Sequence, residues 1–334
     1  MKKSLVALAA LAATTAFAQS SVTLYGVIDV AYGAKQIEGA TGVVSAGKQT
    51  GVMDGGYAGN RIGFRGTEDL GGGLKANFQL EYDLVDAGVG GNGAASASKT
   101  LADGTAAQNN TGGFGSRYSW VGLEDAKLGQ LRLGRQEQSI HSVVTAGSAG
   151  MANNVSGTIY SAGLSNVSTN NAGIRPHNVF VNRAVTYISP AFNGFRVELQ
   201  TASQDLETSG AAPATAKETG ASLKYAAGKF AAAYGMATSK TEASSSEAKS
   251  EQQAISASYD LGMVKLFALN TERKNTVAGA LVAKTKATEL GVQAPIGKTV
   301  LFASAFDGDR DGSVNTAPTL TTGTTAQLLA FNKA

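Results

Sequence analysis

The chain has no cysteine, five prolines, one tryptophan and two histidines in 334 residues. Without cysteine there is neither a disulfide framework nor a thiolate zinc site. Charge is scarce, at 16% of residues against about 25% in an average soluble domain. The 28 basic and 25 acidic side chains leave a formal charge of +3, which is no nucleic-acid footprint. After the first 18 residues no apolar run approaches the ~20 residues of a membrane helix. What is plentiful is glycine, 42 residues, well above the usual level of about 7%. A hydrophobic fraction of 43%, regularly patterned, excludes a disordered chain.

Lys2 and Lys3 form a basic n-region, Leu5 to Thr15 an apolar h-region, and Ala16-Phe17-Ala18 a small-x-small cleavage site. Residues 1–18 therefore read as a secretory signal peptide, leaving 19–334 as the working chain. Removing two lysines from a charge of +3 leaves +1. An exported chain of this size, near neutral and free of cysteine, fits the outer membrane of a Gram-negative bacterium better than a small stapled domain.

The body of the sequence alternates. Leu74, Ala76, Phe78, Leu80, Tyr82 and Leu84 are separated by Lys75, Asn77, Gln79, Glu81 and Asp83. That is a β-strand with one apolar and one polar face, at the ~9–11 residue length of a tilted membrane strand. Val22, Leu24 and Ile28 against Thr23 and Asp29, Phe195/Val197/Leu199 against Arg196/Glu198/Gln200, and Ile255/Ala257/Tyr259 against Ser256/Ser258/Asp260 follow the same rule; 221–236, rich in alanine, follows it weakly. Short connections with Gly, Pro or Asp (69–73, 125–129, 189–194, 226–228, 260–262, 295–298) take turns with long polar stretches (37–59, 85–115, 137–180, 202–217, 239–250, 273–284, 307–325). This is the rhythm of an all-β, transmembrane antiparallel β-barrel with short periplasmic turns and long outer loops. About fourteen strands are readable, the last at 326–334. The 44-residue stretch 137–180 is too long for an idle loop.

The stretches Ser21-Val22-Thr23-Leu24-Tyr25-Gly26, Asn60 through Leu80, Arg117 through Leu123 and Gly134-Arg135-Gln136 resemble the general porins of Gram-negative bacteria, in particular their neisserial and burkholderial branch. The resemblance implies a sixteen-stranded homotrimeric barrel in outer-membrane lipid and lipopolysaccharide, whose third outer loop, here 137–180, folds into the lumen as a constriction. It also implies passive diffusion of small hydrophilic solutes and ions, without a reaction or an obligate cofactor. By motif position, Arg61, Arg117 and Arg183 are the candidates for the basic wall of that constriction. Alternation supports the first two: Arg61 shares a face with Arg65 opposite Ile62 and Phe64, and Arg117 with Ser119 opposite Tyr118 and Trp120. Arg183 shares parity with Val185 and Tyr187. Arg65 and Arg132 are reserve lumen residues, with Glu81 and Asp83 as inward acids. Within 137–180 the one acid is Glu137, beside His141, Arg175 and His177. A basic wall facing an acid-poor loop favours anions, unless Glu81, Asp83 and Glu198 cancel it.

Family members close on a terminal aromatic, whereas this chain ends Phe331-Asn332-Lys333-Ala334. Two strands and one outer loop fewer than the family are read, as either a truncated product or a smaller even-stranded barrel. The other reading of function is an adhesin or receptor acting through its outer loops. Asp307-Gly308-Asp309-Arg310-Asp311-Gly312 opens like a calcium loop, but Pro318 stands where the bidentate glutamate belongs, so no metal site is assigned. Gly88 to Gly93 lacks the Lys-Ser/Thr of a phosphate loop. His141 and His177, near Ser139 and Ser142, lack an orienting carboxylate for nucleophilic catalysis. Tyr25, Tyr32, Tyr82, Trp120, Tyr187, Tyr225, Tyr234 and Tyr259 are expected to be interfacial girdle residues.

Overall fold

The computed structural model describes residues 21–36, 48–54, 59–85, 113–150, 178–206, 214–243, 246–297, 299–312 and 321–330. The proposed signal peptide, Arg175 and His177 lie outside them. In order come β1 (Ser21–Val27), β2 (Val30–Gln36), β3 (Lys48–Asp54), β4 (Arg61–Gly71), β5 (Leu74–Val85), β6 (Gly113–Asp125) and β7 (Gly129–Glu137). A short helix α1 (His141–Gly147) precedes β8 (Phe180–Ile188), β9 (Phe195–Leu206), β10 (Ala214–Ala227), β11 (Phe230–Ala243) and β12 (Ser246–Asp260). Then follow β13 (Lys265–Val277), β14 (Ala280–Ile296), β15 (Thr299–Gly312) and β16 (Thr321–Ala330).

Fourteen strands form one sheet in the order β1-β4-β5 and onward to β16, each antiparallel to its neighbour; β2 and β3 pair as a separate hairpin. The described strands number sixteen, as the resemblance implies, two more than the fourteen readable in the sequence; the stretch 37–59, read there as a long connection, contains β3. From β4 to β16 each strand pairs with its neighbour in sequence, while β1 pairs with β4 across the β2–β3 hairpin. In hydrocarbon this matters because each unpaired group costs several kcal/mol.

The exposure pattern is inverted relative to a soluble domain. Leu24, Phe64, Val121, Leu123, Leu133, Leu199, Leu223, Met236, Ile255 and Leu290 are all at least two-fifths exposed. Their alternate neighbours, among them Glu81, Gln200, Ser222, Gln252, Ser256 and Glu289, are buried. The apolar face points outward to lipid and the polar face inward, as a transmembrane barrel demands. Tyr187, Phe195, Phe230 and Tyr259 stand exposed near the short turns. There Tyr225 packs at 4.6 Å from Phe195, and the Tyr187 hydroxyl donates to the Leu128 carbonyl at 2.9 Å. These four tyrosine and phenylalanine positions suit a membrane-water interface.

Four expectations need correction. The stretches 239–250 and 273–284 are not long loops: β11 runs to 243, β12 starts at 246, β13 runs to 277 and β14 starts at 280. Likewise 202–217 is largely β9 and β10, and 307–312 belongs to β15 rather than to an outer loop. The last strand lies at 321–330, not 326–334. The polar composition that reads as loop belongs to strands that extend past the apolar band, stitched by ion pairs such as Lys240–Glu247 at 2.8 Å and Lys284–Glu272 at 3.1 Å. Finally, Tyr25 and Trp120 are not girdle residues. Both face the lumen, Trp120 only 7% exposed, and the Tyr25 hydroxyl donates to Glu81 at 2.9 Å.

Leu290 sits midway along the long strand β14 and is 62% exposed on the outer face. Leu290→Arg is expected to destabilise the folded chain by about 2–4 kcal/mol, read from denaturant unfolding in lipid vesicles. Leu290→Ala should cost much less.

Candidate pore constriction

The first half of the site is a group of charges on β4, β5 and β6. Antiparallel register brings Arg61 opposite Asp83 and Gly63 opposite Glu81. Arg117 reaches across to both acids, with Nε 2.6 Å from Glu81 Oε1 and Nη1 3.1 Å from Asp83 Oδ1. Arg61 Nη1 stands 4.0 Å from the same Glu81 oxygen. Tyr25 completes the group: its hydroxyl takes a hydrogen bond from Gln79 Nε2 at 2.7 Å, and the Arg65 guanidinium lies 5.3 Å from its ring centroid. Gly63 makes room for that ring, since a Cβ there would fall 2.5 Å from it. Three arginines (61, 65, 117) against two carboxylates leave this group one positive charge in excess.

Arg117 reaches the lumen for a reason alternation does not contain. A register shift between Glu81 and Tyr82 pairs them with Tyr118 and Ser116, so Arg117 is the extra residue of a β-bulge. Bulges redirect side chains in this way. Beyond the bulge the parity is the reverse of that expected. Trp120 and Tyr118 face inward and Ser119 outward, while Val121 is 59% exposed on the lipid side. The Arg117 guanidinium lies 5.0 Å from the Phe180 ring, as does that of Arg135. Tyr118 meets the same ring edge-on at 5.5 Å. Arg132 lies 4.4 Å over the Trp120 ring, and its Nε donates to Gln130 at 2.8 Å. Arg183 is exposed, has φ of 53°, and stands outside the group around Glu81.

The second half is the segment after β7. Glu137 lies 3.6 Å from His141 Nε2, one turn further on. From there the chain runs along the inner face of β9 to β14. Ser139 N donates to Gln200 Oε1 on β9 at 3.1 Å, and Gln200 Nε2 returns a bond to the Glu137 carbonyl at 2.8 Å. Gln138 bonds Glu218 on β10. Helix α1 then crosses β11, β12 and β13. Ser148 Oγ donates to Glu289 on β14 at 2.6 Å, and Gln293 Nε2 donates to the Ala149 carbonyl at 2.6 Å. Ile140, Val143 and Val144 are completely buried against Ala233, Ala237, Ala254, Leu269 and Ala287. Full burial of each is worth about 1.5–3 kcal/mol. An apolar core thus lies inside the barrel, between loop and wall. On its return the chain is tied down again, with Asn178 N donating to Gln252 Oε1 at 3.3 Å.

The sequence reading left out this docking surface. Its signal was present in the β11 half of the weakly alternating 221–236, where the inward Ala233 and Gly235 are small because the loop covers them. At Gly235 a Cβ would meet Val143 Cγ2 at 2.9 Å, and at Gly291 one would meet the Ala149 Cβ at 2.5 Å.

The sequence pattern of the family described as Gram-negative porin matches residues 4–328. Outer membrane porin protein 32 of Delftia acidovorans is 34% identical over 307 residues, covering 89% of this chain and 77% of that protein. Major outer membrane protein P.IB of Neisseria meningitidis is 39% identical over 137 residues, covering 40% of this chain and 34% of its own length. Among solved structures, an anion-selective porin from Comamonas acidovorans superposes with a TM-score of 0.62 at 24% identity, over 94% of this chain and 96% of that one. A Salmonella typhi OmpF complex with daunomycin gives 0.58 at 16% identity, over 92% of this chain and 86% of that one. At these identities the two structures speak for the fold.

Replacing Gly235 or Gly291 by leucine is expected to unseat the 138–149 segment, at about 1–3 kcal/mol of overpacking, and to raise single-channel conductance in a planar bilayer. Heat-modifiable migration on gels should persist, because the ladder itself is untouched.

Proposed function

The chain belongs to the Gram-negative porin family of outer-membrane β-barrels, and we propose that its barrel is a water-filled pore for passive diffusion of small hydrophilic solutes and ions, with a preference for anions. The observation that carries the reading is the inward course of residues 137–149 along β9 to β14, with the Arg61/Arg65/Arg117 group on β4 and β6 elsewhere on the inner wall. A loop folded inward narrows a lumen, and a charged wall beside it sets a field across the path of an ion.

In this reading Arg61, Arg65 and Arg117 form the basic wall and Arg132 extends it. Glu81 and Asp83 hold Arg117 in place and offset part of its charge. Arginine stays protonated at any working pH, so the wall is permanently charged. The anion preference rests on the single excess positive charge, and the anion-selective porin from Comamonas acidovorans supports it by analogy. Glu137 and His141 open the constriction loop. The role of Arg183 is weaker, given its separate placement. Assembly as a homotrimer, contact with lipopolysaccharide, and the absence of any catalysed reaction or cofactor belong to the same proposal.

The test is single-channel recording of the refolded chain, first in symmetric and then in asymmetric salt. Stepwise conductance with a reversal potential of anion-selective sign is expected. Glu81→Gln should shift that potential further toward anions, and Arg61→Gln with Arg117→Gln should shift it toward cations. A cation-selective wild type would overturn the preference, and an inserted but silent barrel would overturn the pore.

A further inference from the structure

The inward segment has two sides. Ile140 and, within helix α1, Val143, Val144 and Gly147 are buried on the wall. His141, Ser142 and Thr145 are half-buried and Ala146 is exposed. That spacing is a helical stripe, and it turns the second set toward the lumen. Ser142 and Thr145 carry no charge, and each hydroxyl has one proton to give. Both protons are committed. Ser142 Oγ donates to the Ser139 carbonyl at 3.0 Å, and Thr145 Oγ1 donates to the Ser142 carbonyl at 3.2 Å. What these two hydroxyls hold out to the lumen is lone pairs, so both act there as acceptors.

The arginine wall is the converse. Guanidinium groups only donate. In the order of the fourteen-stranded sheet, β11, β12 and β13, on which α1 lies, each stand seven places on from β4, β5 and β6. Seven places is half of the way round, so α1 and the Arg61/Arg65/Arg117 group occupy opposite walls. The levels agree as well. Arg65 and Arg117 stand six and eight residues from the short-turn ends of β4 and β6. Ala237 and Ala254, in the apolar seat of α1, stand seven and six residues from those of β11 and β12. A solute at this level meets positive donors on one side and uncharged acceptors on the other.

We propose that Ser142 and Thr145 are specificity-determining residues, and that the pore favours small hydroxylated carboxylates over plain anions of the same charge. The inference rests on the porin reading and names the solute class that its constriction selects. The carboxylate turns to the arginines and a hydroxyl donates to Ser142 or Thr145. A plain carboxylate or a halide satisfies the arginine wall equally well but leaves the α1 oxygens to water. An ammonium group is a poorer match than a hydroxyl, because neutral acceptors repay little of the cost of stripping water from a charge. Selection by hydrogen-bonding groups that line a pore needs no tight binding.

The experiment uses the full refolded chain in planar bilayers, with reversal potentials measured between potassium propionate and either potassium lactate or potassium glycerate. The three anions share a carbon skeleton and a charge, and differ in carrying no hydroxyl, one, or two. Wild-type permeability is expected to rise along the series, with glycerate about threefold or more above propionate, the effect of one hydrogen bond of modest net strength. Free diffusion runs the other way, since the added hydroxyls enlarge the anion. Ser142→Ala/Thr145→Val is expected to bring the series back to the order of free diffusion, and Thr145→Ser, which keeps its hydroxyl, to retain the wild-type order. Back-bonded hydroxyls contribute little to helix stability; should the double variant fail to insert, Ser142→Ala and Thr145→Val singly carry the same comparison. Wild-type permeabilities that follow free diffusion, or a hydroxyl-deleted variant that keeps the full gradation, would overturn the selection while leaving the porin reading in place. An inserted but silent barrel would overturn that reading and the inference with it.

Discussion

Hydrogen bonding of the backbone in a solvent that offers no partners governs the rest of this molecule. From β4 to β15 each strand pairs on both sides with its neighbours in the sheet, and the order runs from β1 and β4 through β16 with no crossovers. Once the ladder is fixed, side-chain alternation has one consistent solution: apolar outward, polar inward. The low charge content and the abundance of glycine follow from it. Lipid-facing positions exclude charge, and glycine serves both the tight turns and the places where a ring or a loop presses against the inner wall.

The interior is not uniform. One sector, β4 to β7, carries long charged and aromatic side chains that occupy the lumen themselves. The other, β9 to β14, presents small side chains and is covered by the segment from Glu137 to Ala149. The two solutions are complementary. Among the described residues, the 137–149 segment packs on the sector that includes Ala233, Gly235, Ala237, Ala254, Ala287 and Gly291, and supplies bulk there. The hydrophobic effect thus acts inside a barrel whose lumen is otherwise polar, over the area that the loop covers. The half-buried Glu218 and the buried Glu289 fix its two ends through side chains that donate to them.

Much of this was legible in the amino-acid order. Strict alternation at 74–84 and 195–200 predicted lipid-facing strands in the right register, because membrane burial on one face enforces period 2. Arg61, Arg65, Glu81 and Asp83 were placed on the inner face by the same rule. Arg117 was placed inward by a parity argument that the bulge at its own position invalidates; the inward result depends on that bulge. A one-residue insertion leaves no mark in composition, and so Trp120 and Ser119 were read on the wrong faces. Strand ends were misjudged for a different reason. Above the apolar band both faces meet polar surroundings, alternation vanishes, and lysine- and glutamate-rich strand is indistinguishable from loop until its cross-strand pairs are seen. The loop's landing site was hidden because small apolar side chains facing inward look like weak alternation.

The loop-lined sector has a mechanical consequence. Among the described residues, the wall from β9 to β14 is two layers thick, sheet plus packed segment, while helix α1 packs on none of β1 to β6. Bending stiffness rises steeply with thickness, so lateral pressure from the bilayer does not deform the cross-section evenly. The reinforced arc holds its curvature, and whatever flexing the tube undergoes is concentrated in the thin arc. That arc bears the arginines, whose mutual spacing is therefore held by Glu81 and Asp83 rather than by the rigidity of the wall behind them.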